Sequence, residues 1–366
     1  MRKGQVGTSR PAAAEGRVRI GVVGAGAFGR RHLDYLSRNP YCEIAGIADP
    51  APAAAALAAE RGLAYYADVE ALLDGARPDG VVIATPNALH VPVGLACAAR
   101  RVPMLVEKPI AESLAGARSL SGAAARTSTP ILVGHHRRHN PVLERAREIV
   151  QGGAIGRLAA VTALLLLRKP DDYFDVPWRR VAGGGPVLIN LIHDVDDLRF
   201  VAGEIVAVQA FTANAVRGFA VEDTVAVALR FAGGALGTIT VSDAVPAPWS
   251  WELTAGENPL YPQQPENCYL FCGTAGSLAV PRLELWRYPG AARWDAPLAR
   301  AVLAVSGADP LARQLEHFRR VIRREEAPRV TAEDAARTLE ATLAVHAAAG
   351  LGGTVAVGLD SGFPGT

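Results

Sequence analysis

Cysteine is scarce in this chain: four in 366 residues, at Cys42, Cys97, Cys268 and Cys272. Only Cys268 and Cys272 lie close together, and no second ligand pair accompanies them, so neither a disulfide framework nor a zinc site is expected. Residues four apart in a strand point to the same side, and these two read as small core residues. An excess of either charge is also lacking. The 38 Lys and Arg stand against 36 Asp and Glu, a net of +2, and no basic face argues for a nucleic-acid partner. The arginines of "HFRRVIRREE" (317–326) alternate with apolar residues and end in two glutamates, as a solvated helix face would. No run of about 18 apolar residues is present to cross a membrane. The opening "MRKGQVGTSRPAAAEGR" (1–17) is basic and alanine-rich without a hydrophobic segment. It reads as a disordered leader rather than a secretory signal, which places the chain in a reducing cytoplasm. Solenoid-length repeats and low-complexity linkers are missing too.

The length exceeds what one ordinary core occupies, so two domains are expected. From Val18 to about Gly134, short apolar runs alternate with helical segments: "VRIGVVG" (18–24), "EIAGIAD" (43–49), "GVVIAT" (80–85), "PMLVEK" (103–108) and "ILVGHH" (131–136). Near-continuous apolar strands separated by helices indicate a parallel sheet covered on both faces. After a helix starting near Pro141 the pattern changes to successive strands at 157–167, 205–211, 223–231, 235–243, 267–273 and 282–288. Ala232–Gly234 reads as a hairpin turn. One long helix over 186–202 interrupts the strands, and two more, near 309–325 and 331–349, come after them. The expected fold is therefore α/β: a doubly wound parallel sheet over 18–140, then an α+β domain with an open, mostly antiparallel sheet over 141–366.

The first run leads into "GAGAFG", a Gly24-x-Gly26-x-x-Gly29 spacing placed directly between a strand and a helix. The first glycine permits the tight turn, and the second lets backbone approach a pyrophosphate. The third allows close helix–strand packing, and the helix start, with Ala27 and Phe28, offers N–H groups and a positive dipole. An acid is wanted about 20 residues on, at the end of the second strand, and Asp49 stands there. Its carboxylate would accept from both adenosine ribose hydroxyls and repel a 2′-phosphate. With Pro50 and Ala51 next in the chain, NAD is favoured over NADP, while Arg30 and Arg31 keep NADP as the alternative. This is the signature of a Rossmann dinucleotide-binding domain.

Two further motifs fall at carboxyl ends of strands, where open parallel sheets bind ligands. One is "TPNALH" (85–90), with Thr85, Asn87 and His90; the other is "EKPI" (107–110), with Glu107 and Lys108. Pro109 disfavours helical geometry at Lys108, and an ammonium held there would face the reacting end of the cofactor. The bland alternative, a salt bridge to Glu107, is disfavoured because strand neighbours point oppositely.

With the glycine fingerprint, "TPN", "EKP" and a later "GGGPVLINLIHDVDDL" (183–198), the chain resembles the Gfo/Idh/MocA oxidoreductases. The resemblance runs from Arg17 over nearly the whole length, in the right order. It implies a Rossmann domain and then a domain whose open sheet often mediates dimers or tetramers, so a homodimer or homotetramer is expected. It also implies oxidation of a secondary alcohol on a sugar or cyclitol, or the reverse. Carried over, Lys108 matches the lysine of the family's EKP motif and His193 its helix histidine. The family commonly has an aspartate four residues before that histidine; here Ile189 stands there, with Asn190 next.

On a regular helix Asn190, His193, Asp194 and Asp197 would share a polar stripe, and Leu188, Leu191, Val195 and Leu198 an apolar one. A histidine so placed suits acid/base work near neutrality, with Lys108 stabilising the developing alkoxide; the two roles are interchangeable at this level. Asp197 reads as a solvent or salt-bridge residue. For the substrate, His135 and Arg137 of "GHHRRHNP" come after a strand of the first sheet, while Tyr173 and Trp178 lie on a long loop before the helix and Trp249, Trp251 and Glu252 on another. Asn190 would hold a hydroxyl or orient His193. Hydroxyl-binding groups among aromatics point to a sugar or polyol. The resulting expectation is an NAD-dependent dehydrogenase. The alternatives are an NADP(H)-dependent reductase of keto- or nucleotide-linked sugars, an enzyme recycling bound NAD to drive elimination or cleavage, and a non-catalytic dinucleotide sensor.

Overall fold

The computed structural model describes residues 16–358, so the expected leader lies outside them except for Gly16 and Arg17. The chain divides into two compact units. One comprises the chain up to Glu107 with 122–132 and 315–328; the other comprises 108–121, 133–314 and Arg329 onward. Against a single cut at residue 140, three stretches change sides: 108–121 and 133–140 lie in the second unit, and 315–328 in the first.

The first sheet contains β1 (Val18–Val23), β2 (Cys42–Ala48), β3 (Tyr65–Tyr66), β4 (Gly80–Ile83), β5 (Met104–Val106) and β6 (Ile131–Val133). Their order is β3-β2-β1-β4-β5-β6, with β1 to β5 paired in parallel. Every residue of β1 and β4 is buried, which explains runs without polar alternation. The connecting helices are α1 (Ala27–Arg38), α2 (Pro52–Glu60), α3 (Val69–Ala76), α4 (His90–Ala99) and α5 (Leu114–Thr127). Pro52 opens α2 at its first turn, and the Asp68 side chain caps α3 by accepting from Ala71 N. The strand β3 escapes a period-based reading because two residues carry no period.

The second unit holds α6 (Pro141–Gln151), β7 (Leu158–Leu166), a π-helical turn (Val187–Leu191) running into α7 (Ile192–Ala202), then β8 (Ile205–Ala213), β9 (Thr224–Phe231) and β10 (Leu236–Ser242). Next come the short helix α8 (Trp251–Thr254), β11 (Tyr269–Gly273), β12 (Ser277–Val280), β13 (Glu284–Arg287), β14 (Ala299–Val302), α9 (Pro310–Ile322), α10 (Ala332–Leu351) and β15 (Val355–Ala356). The strand order is β14-β13-β12-β11-β7-β10-β9-β8-β15. The described pairings are antiparallel except β7 with β10, so the sheet is mixed. The expected hairpin joins β9 to β10, with Gly234 at φ +87°. The strands β12, β14 and β15 are additional to the expected set; each is four residues or fewer.

One face of this sheet is apolar and packed. Val225, Val227, Leu229 and Phe231 of β9 join Ile239 and Val241 of β10 in a core with Leu191, Val195 and Leu198 of the helical segment. The alternate positions point outward, and Phe211 and Leu236 are exposed. Of the cysteines, Cys42, Cys97 and Cys268 are buried and Cys272 partly so, and all four are free. No helix among the described residues is long and apolar enough to cross a membrane.

Candidate active site

In the glycine loop of the first unit, packing explains two of the three glycines. Gly24 sits at φ +97°, and a Cβ there would lie 2.5 Å from the Ala84 carbonyl oxygen. A Cβ at Gly29 would come within 1.9 Å of Gly24 O, so only glycine lets α1 pack so closely on the turn. Gly26 differs: nothing lies within 4 Å of an added Cβ. It caps α1 without a side-chain hydrogen bond, and Gly26, Ala27 and Phe28 are exposed. A helix start of this kind leaves N–H groups free for an anion. Asp49 closes the loop, accepting from Ala25 N through Oδ2 at 2.7 Å and from Ala51 N through Oδ1 at 2.8 Å. Each oxygen can accept a second bond, so ribose hydroxyls remain within its capacity.

Nearby, Thr85 N also lies 2.8 Å from the Cβ that Gly24 lacks. Thr85 Oγ1 is buried without a partner among the described residues, an orphan that a ligand hydroxyl or phosphate would satisfy. His90 Nε2 contacts Thr85 O at 3.0 Å and steadies this turn, while Asn87 is exposed at its start. Glu107 is buried and pairs with His32 Nε2 at 2.7 Å. These residues fit a dinucleotide: an uncapped helix start, an open glycine, a fixed acid and an orphaned hydroxyl.

In the second unit, Lys108 precedes a cis Lys108–Pro109 bond, and its Nζ donates to the Ile189 carbonyl at 3.1 Å. The position where the family's aspartate is usual thus contributes a main-chain oxygen. That carbonyl belongs to the π-helical turn, in which Ile192 N–H reaches back to Val187 O. An extra residue in the turn rotates the residues before it relative to those of α7. This overturns the simple stripe drawn for a regular helix. Leu191, Val195 and Leu198 do enter the core, whereas Leu188 is only half-buried. Of the glycines ahead of the turn, Gly183 sits at φ +87° with nothing within 4 Å of an added Cβ, whereas Gly184 and Gly185 are closely packed. A Cβ at Gly184 would meet Trp178 O at 2.3 Å, and one at Gly185 would meet the Glu222 carboxylate at 2.3 Å. Glu222 Oε1 in turn accepts from Val187 N.

His193 is 9% exposed, and its Nδ1 has no hydrogen-bond partner among the described residues. Burial, then the charges of Lys108, Arg137, His136 and His135, hold its pKa well below the usual 6.5. The ring is therefore neutral at physiological pH. His135 and His136 lie edge-on to it, with ring centroids at 6.3 and 5.4 Å. His136 Nε2 pairs with Glu257 Oε1 at 2.7 Å. His135 is fully enclosed, with neither ring nitrogen hydrogen-bonded among the described residues and Nδ1 3.6 Å from Asp196 Oδ2. Burial lowers its pKa to about 4 despite the opposing charge of Asp196. Asn190 is half-buried, and its Oδ1 also lacks a partner among the described residues, leaving an acceptor for a hydroxyl one residue from the carbonyl that holds Lys108.

Behind this group lies a buried ionic cluster that the sequence pattern divides differently. Arg137 donates to Asp197 at 3.1 Å and to Glu252 at 2.8 Å, approaches Asp194 at 3.7 Å, and lies over the Trp251 ring. Its donors go to internal partners rather than outward to a substrate. Asp197 is 1% exposed, a salt-bridge residue and not a solvated one. Trp251 is also 1% exposed, stacked on Tyr269 with centroids 5.6 Å apart, and its Nε1 donates to Glu257. The structure places it in the core instead of presenting a free face to a sugar. The Tyr269 hydroxyl lies 2.5 Å from Asp194 Oδ1. Burial raises the Asp194 carboxyl to about 7, against the pull of Arg137.

The loop before the glycines remains open. Tyr173 is half-buried under the Arg179 guanidinium, 3.9 Å from the ring centroid, and Trp178 is 52% exposed. Lys169 of the same loop, unremarked in the sequence, is 7% exposed, 3.2 Å from Asp243 and over the Tyr173 ring. His136, Glu257, Asp194 and Tyr269 likewise escape sequence reasoning as site groups. His136 stands in a histidine-rich string, but its partner Glu257 is 121 residues away (257 − 136), and no local pattern marks such a pair.

Residues 18–135 match the family model described as "Oxidoreductase family, NAD-binding Rossmann fold", and residues 143–279 match the GFO/IDH/MocA C-terminal domain. The chain belongs to the Gfo/Idh/MocA family. Among Gfo/Idh/MocA relatives it is 31% identical over 188 residues to the rhizopine catabolism protein MocA of Rhizobium meliloti, covering 51% of this chain and 58% of that protein. To an inositol 2-dehydrogenase of Rubrobacter xylanophilus it is 34% identical over 236 residues, covering 61% and 64%. The match thus spans less than two thirds of each of these curated relatives. The WlbA dehydrogenase from Bordetella pertussis, solved with NADH and UDP-GlcNAcA, superposes with a TM-score of 0.76 at 23% identity, covering 94% of this chain and 100% of that one. That last likeness is one of fold.

Proposed function

We propose that the protein is an NAD-dependent dehydrogenase that oxidises a secondary alcohol on a sugar, cyclitol or related polyol. The observation that carries this reading is the pairing of Lys108 with the helical segment of His193: its ammonium donates to Ile189 O, and its charge helps keep His193 neutral. His193 takes the hydroxyl proton as a base. Lys108 stabilises the alkoxide that this leaves, and Asn190 Oδ1 accepts from a neighbouring hydroxyl. When bound, NAD⁺ supplies the acceptor for the hydride. The open start of α1 would hold its pyrophosphate, and Asp49 would accept from its ribose while repelling a 2′-phosphate. Relatives named inositol 2-dehydrogenase lend support to a cyclitol or sugar. The proposal includes a homodimer or homotetramer in the cytoplasm, supported by the exposed apolar positions of the nine-stranded sheet and the free thiols.

Initial rates with NAD⁺ and NADP⁺ over inositols, aldoses, sugar acids and anhydrosugars test the reading by nicotinamide absorbance. Turnover is expected with NAD⁺ on at least one polyol, and Lys108→Ala is expected to lower kcat by roughly 100-fold or more. Removing a cation beside His193 raises its pKa, so the acid limb of kcat/KM should move to higher pH in the variant. Near-normal turnover in both Lys108→Ala and His193→Ala would end this mechanism. Dinucleotide binding with silence across the panel would favour a sensor.

A further inference from the structure

The dehydrogenase reading leaves a proton on His193 after each oxidation, and the surroundings of His193 oppose keeping it there. The ring is enclosed, and Lys108, Arg137, His136 and His135 all bear on it as cations or potential cations. A proton taken from the substrate must therefore leave before the next turnover. We propose that His136, held by Glu257, is the proton outlet of His193, receiving the substrate-derived proton and releasing it to solvent.

The geometry carries this in four steps. His136 is the nearer of the two histidines beside His193, edge-on with centroids 5.4 Å apart and an interplanar angle of 75°. A direct hydrogen bond after a small ring rotation, or one intervening water, closes such a gap. Its Nε2 is engaged by Glu257 Oε1 at 2.7 Å, so a proton arriving at Nδ1 creates an imidazolium already facing a carboxylate. Glu257 is itself fixed, because Oε2 accepts from Trp251 Nε1 at 2.8 Å and from Asn140 Nδ2 at 3.1 Å. Burial alone would push that carboxyl up, but His136, Arg137 and the Trp251 N–H bring it down to about 2; it stays an anion throughout the working range. Finally, the side chain of His136 is 17% exposed, whereas His135 is sealed and has no acceptor in hydrogen-bond contact among the described residues. Of the two neighbours, only His136 has both a counter-ion in contact and a path to water.

The step is a proton transfer and nothing else. The proton on His193 moves to His136 Nδ1, the proton on His136 Nε2 remains shared with Glu257, and the Nδ1 proton then passes to solvent, so that each ring ends the cycle with the protons it began with. The charged and titratable groups around the pair are Glu257 ahead of β11, His193 on α7, Arg137 in the turn of His136 itself, and Lys108 and His135, which bear on His193.

The relay rests on the dehydrogenase reading, and steady-state rates across pH separate the two. In H136Q, kcat should fall roughly 10-fold or more, with KM within about threefold of wild type. Added imidazole should restore part of the loss, and the solvent deuterium effect on kcat should rise as proton departure becomes limiting. E257Q keeps the shape and the Trp251 contact but removes the anion; it should fall in the same direction and show an altered pH profile, and it serves if H136Q does not fold. Wild-type turnover with kcat, pH profile and isotope effect unchanged in both variants would overturn the relay alone. No turnover in the wild type on any alcohol, with dinucleotide bound, would overturn the dehydrogenase reading and the relay with it.

Discussion

His135 shows how much a single buried residue can impose on the chain. It is 1% exposed with neither ring nitrogen hydrogen-bonded among the described residues, and its pKa drops from 6.5 to about 4 because burial penalises the cation. A depressed folded-state value means that its contribution to stability is fully present above pH 6.5 and is lost as pH falls through 4. Denaturant unfolding of wild type should therefore weaken between pH 7 and 4.5. In His135→Leu that pH-dependent loss should shrink by about 2–3 kcal/mol; an unchanged difference would show the ring to be hydrated. At the same scale, Ile189 illustrates how a main-chain atom can stand where a side chain is usual, since its carbonyl accepts a hydrogen bond from Lys108 Nζ whatever side chain the residue carries.

At the scale of elements, the glycine turn and the π-helical turn do the placing. The three glycines of the first turn look alike in sequence, yet their surroundings separate them. Gly26→Ala meets no atom within 4 Å, while Gly29→Ala would drive a Cβ to 1.9 Å from Gly24 O. Gly26→Ala should leave unfolding free energy within about 0.5 kcal/mol of wild type but weaken NAD⁺ binding at least about 10-fold by titration calorimetry, because the methyl occupies ligand space. Gly29→Ala should lose stability and binding together. Equal behaviour of the two would refute the assignment of Gly26 to the pyrophosphate. The π-helical turn has the opposite legibility. Its consequence, Leu188 leaving the core stripe, depends on one extra residue in a turn, and an apolar pattern read at 3.6 residues averages over it.

For the whole molecule, the outer face of the nine-stranded sheet carries exposed apolar side chains. Phe211 is 73% and Leu236 59% exposed on it, with Leu270 at 42%. Exposed apolar side chains on an open sheet favour a second copy of the chain. Sedimentation should give a dimer or tetramer for wild type and a smaller species for the pair Phe211→Glu with Leu236→Glu, whose helix and strand content should persist by circular dichroism. A monomeric wild type at micromolar concentration would remove this surface as an interface.

The sequence by itself determined what depends on local pattern. Buried parallel strands need uninterrupted apolar runs, a glycine-led helix start needs its spacing, and Asp49 follows the second strand at a fixed distance from those glycines. Lys108 and His193 could be singled out as candidates for the same reason: each sits at a fixed offset within a short motif. Tertiary structure alone decided what depends on distant partners. Arg137 became an internal counter-ion because Asp194, Asp197 and Glu252 converge on it, and Trp251 became core by stacking on Tyr269. The His136–Glu257 pair exists only because the fold brings together residues 121 positions apart (257 − 136). A charge in a sequence has no partner until the chain folds, and whether it faces substrate, solvent or another charge is a property of the packed interior.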